Sequence, residues 1–247
     1  MDTRMRLDSV LLARGLVASR SRARDLIKRG AVSVDGAIAS KAGQWIGANA
    51  ACAVEEAANR YVSRAALKLT AALSAFEFSV QGLVAIDVGA STGGFTEVLL
   101  EAGVVKVYAV DVGHDQLHGS LRTDPRVVCL EGFDARNLTS ALVTESVGAI
   151  VSDVSFISQT LALSAAVALA APGAWLVALI KPQFELTPGD IGKGGIVKRP
   201  ELGARAVAKV HGWIASQTGW RVLGVVPSPI AGKGGNQEYL LGAIHDG

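Results

Sequence analysis

Apolar residues along this chain follow two rhythms. Ahead of residue 40 they come in helical bursts, Leu7, Val10 and Leu11 and then Ala23, Leu26 and Ile27, closed by Gly15 and Gly30. The spacing predicts a helix over residues 6–14 and a second one, capped by Ser19 or Ser21, that runs to Arg29. Residues 31–34 and 37–39 flank Asp35-Gly36, a hairpin signal. Residues 43–59 show neither period and predict an irregular stretch, with Glu55-Glu56 as a linker or a terminal strand. A helix follows Tyr61-Val62, capped by Ser63, with Leu69, Leu73 and Phe76 turned inward.

Beyond that helix the rhythm changes to short continuous runs of apolar and β-branched residues, the composition of strands buried on both faces. Such runs start at Val84 and occupy 104–111, 127–130, 147–153, 174–181, 222–226 and 238–244. Helical patterns separate them. Phe95, Val98, Leu99 and Ala102 share a face before Gly103; a short helix is expected around Gln116-Leu117, a long Ala/Leu-rich one ahead of Pro172-Gly173, and another over 200–217. Strands alternating with helices predict an α/β fold, Rossmann-like, with a seven-stranded and mostly parallel sheet. A last strand running antiparallel would start at the edge where the others end.

Composition refines this picture. With 247 residues, 50% of them hydrophobic, the chain can bury one substantial core beside a small appendage, expected as residues 1–59 and 60–247. Cys52 and Cys129 are far apart and in no ligand spacing, and His114, His118, His211 and His245 form no ligand pattern, so neither a disulfide framework nor a metal site is expected. The cysteine usage and the lack of an apolar leader point to a cytoplasmic setting. Residues 154–180 carry no charge and have the length of a membrane span, but Pro172-Gly173 divides them. A helix stop followed by a buried strand is the better reading, and no membrane partner is expected. Charge is uneven: residues 1–41 hold nine Lys and Arg against four acids, a basic head suited to a polyanion.

The chemistry begins at Val-Ala-Ile-Asp-Val-Gly-Ala-Ser-Thr-Gly-Gly-Phe, residues 84–95: strand, glycine turn, helix, the geometry that cradles a nucleotide. The dinucleotide fingerprint is absent, and so is the Gly-Lys-Ser/Thr of a phosphate loop. What remains is a pocket for a nucleoside without phosphates. Asp111, twenty-two positions after Gly89, stands where such folds place the acid that holds ribose hydroxyls. S-adenosylmethionine fits better than NAD. Three further strand ends carry charge: Asp153, Lys181 and Glu238. Arg64 and Lys68 are four apart on a helix and by spacing alone form a solvated face. Glycine-rich loops at 188–195 and 232–235 are expected beside the sheet edge, as lids or as plain connections.

In the head, Arg20, Arg24 and Lys28 recur every fourth residue as a basic stripe. The pattern from Arg6-Leu7-Asp8 through Ser19-Arg20-Ser21-Arg22-Ala23-Arg24-Asp25-Leu26-Ile27-Lys28-Arg29-Gly30 to Asp35-Gly36 resembles the small RNA-binding domain named after ribosomal protein S-four, built on the αL motif. The resemblance implies RNA contacts from Arg4, Arg6, Arg20, Arg22, Arg24, Lys28, Arg29 and Arg64.

The body is similar to a family as well. Tyr-Val-Ser-Arg, the glycine turn, Val-Asp-Val-Gly, Ser-Asp-Val-Ser-Phe-Ile-Ser, Leu-Ile-Lys-Pro-Gln-Phe-Glu, Gly-Lys-Gly-Gly-Ile-Val and Gly-Gly-Asn-Gln-Glu-Tyr together resemble the TlyA (haemolysin A) family across nearly the whole chain. That family joins the same RNA-binding head to an FtsJ-like class I methyltransferase domain. The resemblance implies ribose 2′-O-methylation of ribosomal RNA, cytidine among its nucleotides, with S-adenosylmethionine consumed and S-adenosylhomocysteine released. It implies a catalytic tetrad of Lys68, Asp153, Lys181 and Glu238, which lifts Lys68 from the solvated face, with Lys181 as proton acceptor or steering group. Asp87, Gly89, Ala90, Ser91, Thr92, Gly93, Gly94 and Phe95 would hold the methionine portion, Asp111 with Val112 the ribose, and Asp134 with Ala135 the adenine. The partner would be ribosomal RNA or a ribosomal subunit, with no obligate protein partner evident. Ala65-Ala66 where Gly-Gly is common, His114-Asp115 ahead of Gln116-Leu117, and Asp134 where Asn is frequent depart from the pattern. Two other readings remain open: a membrane-active, haemolysin-like protein, and an RNA-binding module without catalysis.

Overall fold

The computed structural model describes residues 4–55, 60–232 and 234–247, so part of the expected linker, residues 56–59 with Glu56, lies outside the described residues. Contacts gather the chain into two compact units, Met1–Arg64 and Ala65–Gly247.

The smaller unit runs β1 (Met5–Arg6), α1 (Leu7–Ala13), α2 (Arg20–Lys28), β2 (Val32–Val34), β3 (Ala37–Ile38), β4 (Trp45–Ile46) and β5 (Cys52–Val54). Helices α1 and α2 bury Leu7, Leu11, Leu26 and Ile27 against Val32 and Ile46. Ser19 caps α2: its hydroxyl accepts from the Arg22 amide at 3.1 Å. The hairpin of β2 and β3 turns on Asp35 and Gly36, both at positive φ. The stretch expected to be irregular is partly paired: β4 adds to β1 and β5 to β2, both antiparallel. Strands of two and three residues are too short to display a period.

The larger unit contains α3 (Ala65–Ala75), β6 (Val84–Val88), α4 (Gly94–Glu101), β7 (Lys106–Asp111), α5 (Gly119–Arg122), β8 (Val127–Glu131), β9 (Val147–Ser152), α6 (Gln159–Ala162), α7 (Ser164–Ala168), β10 (Ala170–Ile180), α8 (Pro182–Glu185), α9 (Glu201–Ala215), β11 (Trp220–Pro227) and β12 (Tyr239–His245). Its seven strands lie in the order β11-β12-β10-β9-β6-β7-β8, with only β12 antiparallel to its neighbours. The chain leaves β6 toward β7 and β8 and returns on the other side at β9, so the order reverses between β6 and β9. A crevice is left outside the strand ends at such a point. Ile86, Val110, Ile150, Leu176 and Leu241 are fully buried along the sheet. Helix α3 packs on α4 and β12, and α9 packs across β10, β11 and β12.

Two local expectations are corrected. The helix expected around Gln116-Leu117 starts later, at Gly119, because the amides of Asp115, Gln116 and Leu117 are all taken by the Glu131 carboxylate. The long Ala/Leu helix is two short helices broken at Leu163, and Pro172-Gly173 lies inside β10 rather than ahead of it. The register shifts between Ala170 and Trp175; Pro172 has no amide hydrogen to lose in that unpaired stretch, and Gly173 takes a φ of 82°.

Candidate active site

A cleft of about 640 Å³ opens beyond the carboxyl ends of β6, β7 and β9, where the strand order reverses. Gly89, Ser91, Asp111, Val112, Asp134 and Ala135 line it, as do Asp153, Gln116 and Phe156. Gly89 holds the turn open: its φ is 85°, and a Cβ there would stand 2.9 Å from the Asp153 carbonyl oxygen. Gly93, also at positive φ, starts α4, whereas Phe95 and Gly94 are buried behind the cleft and Thr92 points to solvent. Ala90 is buried and its amide bonds to the Val110 carbonyl at 3.1 Å.

Asp87, at the end of β6, is fully buried. Its Oδ2 accepts from the Thr96 hydroxyl at 2.7 Å, while its Oδ1 has no hydrogen-bond partner among the described residues. Burial pushes its carboxyl up to about 7; the Thr96 hydrogen bond opposes the shift and the neighbouring Asp153 and Asp111 add to it. A buried carboxylate oxygen without a partner suits a cationic ligand group. Asp111 accepts from the Ser91 amide on one oxygen and from the Gly113 amide on the other, both at 2.7 Å, and so ties the glycine turn to the β7 end. Asp134 is held below the usual carboxylate range by the Arg136 guanidinium and amide.

Four charged side chains far apart in sequence arrive as two ion pairs. Lys68 Nζ meets Glu238 Oε2 at 2.5 Å, and Lys181 Nζ meets Asp153 Oδ1 at 2.6 Å and donates to Ser155 Oγ at 2.9 Å. Asp153 follows β9, Lys181 follows β10 and Glu238 precedes β12, three adjacent strands about 4.8 Å apart. The antiparallel course of β12 brings Glu238 to the edge where β9 and β10 end. Lys68 is 8% exposed rather than solvated, and its face of α3 covers that edge. Arg64, four residues earlier, falls in the other unit.

Beyond Ser91, already a candidate by resemblance, several neighbours of the cleft were given no role by the sequence. Ser91, Asp115 and Phe156 all take positive φ, of 48°, 53° and 67°, around this one cleft. For an aromatic residue that conformation is a genuine outlier, and strain of this kind persists only where the surroundings impose it. Phe156 is 91% exposed at the cleft wall, with its ring 5.0 Å from that of Phe184. The buried Glu185 ties together the segments that follow Asp153 and Lys181: it accepts from the Ser158 hydroxyl at 2.5 Å and the Gln159 amide at 2.7 Å, and pairs with Lys209 at 2.9 Å. Glu131, pulled to about 2 chiefly by the Leu117 amide, fixes the segment that carries Gln116 into the cleft. Asn236 joins the two glycine-rich loops: its Nδ2 donates to the Gly195 carbonyl at 2.8 Å and its Oδ1 accepts from the Val197 amide at 3.0 Å. Gly232 lies against Glu238, where a Cβ would overlap Oε1.

In the smaller unit the basic stripe is not free. Arg20 and Arg24 join Arg6 on the buried Asp8 carboxylate, which the Arg6 hydrogen bond foremost holds well below the usual range. Arg22 and Arg29 pair with Asp25 and donate to the Tyr61 carbonyl. Arg4 and Lys28 are exposed.

Comparison with known proteins matches two stretches of the chain. Residues 61–244 match the FtsJ-like methyltransferase family, and residues 5–50 match the S4 domain. The chain is 46% identical over 242 residues to the 16S/23S rRNA (cytidine-2′-O)-methyltransferase TlyA of Mycobacterium tuberculosis, covering 98% of this chain and 90% of that one. It is 40% identical to Hemolysin A of Brachyspira hyodysenteriae, over 96% and 98% of the two chains. A solved structure from Streptococcus thermophilus that carries the hemolysin name superposes with a TM-score of 0.76 at 36% identity, over 99% and 90%.

Proposed function

The chain belongs to the TlyA family of FtsJ-like methyltransferases, and from that premise we propose that it methylates a ribose 2′-hydroxyl of ribosomal RNA, on cytidine, in the cytoplasm. The observation that carries this reading is the pair of charge-balanced contacts, Lys68 with Glu238 and Lys181 with Asp153, gathered from separate strand ends beside a nucleoside-sized cleft.

S-adenosylmethionine fits the residues present: Asp87 offers an unpartnered buried oxygen to an ammonium group, and Gly89 leaves a cradle that a Cβ would fill. Backbone from Gly89 to Phe95 would hold the rest of the methionine portion, Asp111 the ribose, and Asp134 with Ala135 the adenine. Bound there, it supplies an electrophilic sulfonium methyl group and leaves as S-adenosylhomocysteine.

A ribose hydroxyl is a weak nucleophile, so the chain must orient it and take its proton. Lys181 is anchored on two sides, by Asp153 and Ser155. In its neutral amine form its two N–H donors stay on those partners and its lone pair faces the incoming hydroxyl, takes the proton as the methyl is transferred, and leaves an ammonium that Asp153 balances. Lys68 and Glu238 form the second ion pair, at the neighbouring strand end. The exposed ring of Phe156 offers a face on which an unstacked base can rest. The S4-type unit contributes the sequence-independent grip on phosphates. Among the described residues no helix is long and apolar enough to cross a membrane, and nothing in the site favours a lytic activity. Lys181→Ala should abolish 2′-O-methylation, mapped on ribosomal RNA lacking the mark, while S-adenosylmethionine binding by calorimetry stays within a few-fold. Turnover retained in that variant would remove Lys181 from the reaction.

A further inference from the structure

The smaller unit exposes one large aromatic side chain beside its arginines. Trp45 is 63% exposed, while Trp175 and Trp220 are buried and Trp213 is half-buried. It stands directly opposite Arg6 in the β1–β4 register, and opposed side chains of an antiparallel pair project from the same face with Cβ atoms about 5 Å apart. Arg6 is itself part of a cluster. Its guanidinium and those of Arg20 and Arg24 lie 3.2, 3.1 and 3.2 Å from the carboxylate of Asp8, whose side chain is wholly buried. One buried acid thus gathers three guanidiniums and cancels one charge of the three. The arginine side chains stay about half exposed, so N–H donors face outward. The turn ahead of Trp45 runs against the same group, since a Cβ on Gly43 would come within 3.3 Å of the Arg6 nitrogens.

An exposed indole next to a preorganised guanidinium cluster has the chemistry of a single-nucleotide subsite. The arginines suit a phosphate oxygen, and the indole offers a flat apolar face to a base that is not already stacked. A continuous duplex presents the phosphates but no free base face. We propose that Trp45, with Arg6, Arg20 and Arg24, binds an unpaired RNA nucleotide, the base stacked on the indole and the adjoining phosphate on the guanidiniums, so that this unit selects a loop or bulge over a plain helix. The proposal rests on the RNA-methyltransferase reading and adds a stacking contact to it.

The test uses the full chain with two RNA probes, a hairpin with an unpaired loop and a blunt duplex of equal length. Trp45→Ala should weaken hairpin binding by roughly 5- to 150-fold, the range expected of one base–aromatic stack, and leave duplex binding unchanged. Trp45→Phe should restore most of the loss. The hairpin should also quench the acrylamide-accessible tryptophan emission, a signal absent from Trp45→Phe. Unchanged hairpin binding in Trp45→Ala, an equal loss on both RNAs, or emission from Trp45 already shielded in the free protein would overturn the subsite. The double variant Arg20→Gln/Arg24→Gln separates the two ideas: if it weakens both RNAs while Trp45→Ala does nothing, the subsite fails and RNA binding by this unit stands. If neither variant changes binding, the RNA-binding reading of this unit fails as well.

Discussion

Replacing Asp87 with asparagine probes how the cleft handles charge. Asp87 is fully buried, and burial above all, helped by Asp153 and Asp111, moves its carboxyl from an ordinary 3.8 up to about 7. That is about three pH units at about 1.36 kcal/mol each, so the ionised form costs the fold on the order of 4 kcal/mol. The sign follows from proton counting. Between pH 3.8 and about 7 the folded chain keeps a proton that the unfolded chain has given up. The stability contributed by neutral Asp87 is therefore complete below the unfolded value and is lost as pH rises through about 7. A carboxamide in its place would copy the neutral form at every pH. Without ligand, Asp87→Asn should melt on the order of 10 °C above the parent at pH 8, and the gap should shrink to roughly 40% of that at pH 5 and close only below the unfolded carboxyl value. With S-adenosylmethionine the order reverses: calorimetry should show the parent binding tighter as pH rises past 7, and the variant binding weakly without pH dependence. Parallel melting curves for the two proteins across pH 5 to 8 would refute the reasoning.

Other substitutions test other parts of the site. Gly89→Ala forces a side chain into positive φ and toward the Asp153 carbonyl; it should cost about 1–3 kcal/mol in urea denaturation and abolish S-adenosylmethionine binding, and an unshifted midpoint would contradict the contact. Glu185→Gln leaves Lys209 without its counter-ion and loosens the loop bearing Asp153 and Phe156. It should lower kcat by roughly 10- to 100-fold with KM for S-adenosylmethionine nearly unchanged and partial recovery in Glu185→Asp; a rise in KM alone would place Glu185 elsewhere. Neutralising Arg20, Arg24 and Lys28 together should reduce the slope of log affinity against log salt for RNA by about 2, and an unaltered slope would show that these charges meet only solvent.

The parallel sheet and its crevice were legible because buried strands, glycine turns and carboxyl-end charges leave local marks. Asp153 and Lys181 could be found that way. Lys68 could not: its partner Glu238 is 170 residues away, and helix spacing alone made it a surface charge. The basic stripe showed the opposite weakness. Its period is real, yet Asp8 on the preceding helix converts two of its members into a shared ion cluster. Pro172 misled because a proline ends a helix and also tolerates an unpaired stretch within a strand, and only the register with β9 separates the two. Glu185 stood in plain view within Lys-Pro-Gln-Phe-Glu, but its role depends on donors from a loop 26 and 27 residues upstream and from α9.

Asn236 fastens the two glycine-rich loops to each other. Neither can be displaced alone without breaking two hydrogen bonds worth about 1 kcal/mol each, so a displacement of one would carry the other. Because Gly232 rests on Glu238, the joined loops also touch the Lys68 pair, so the 188–195 loop is linked through Asn236 and Gly232 to a side chain it does not itself contact.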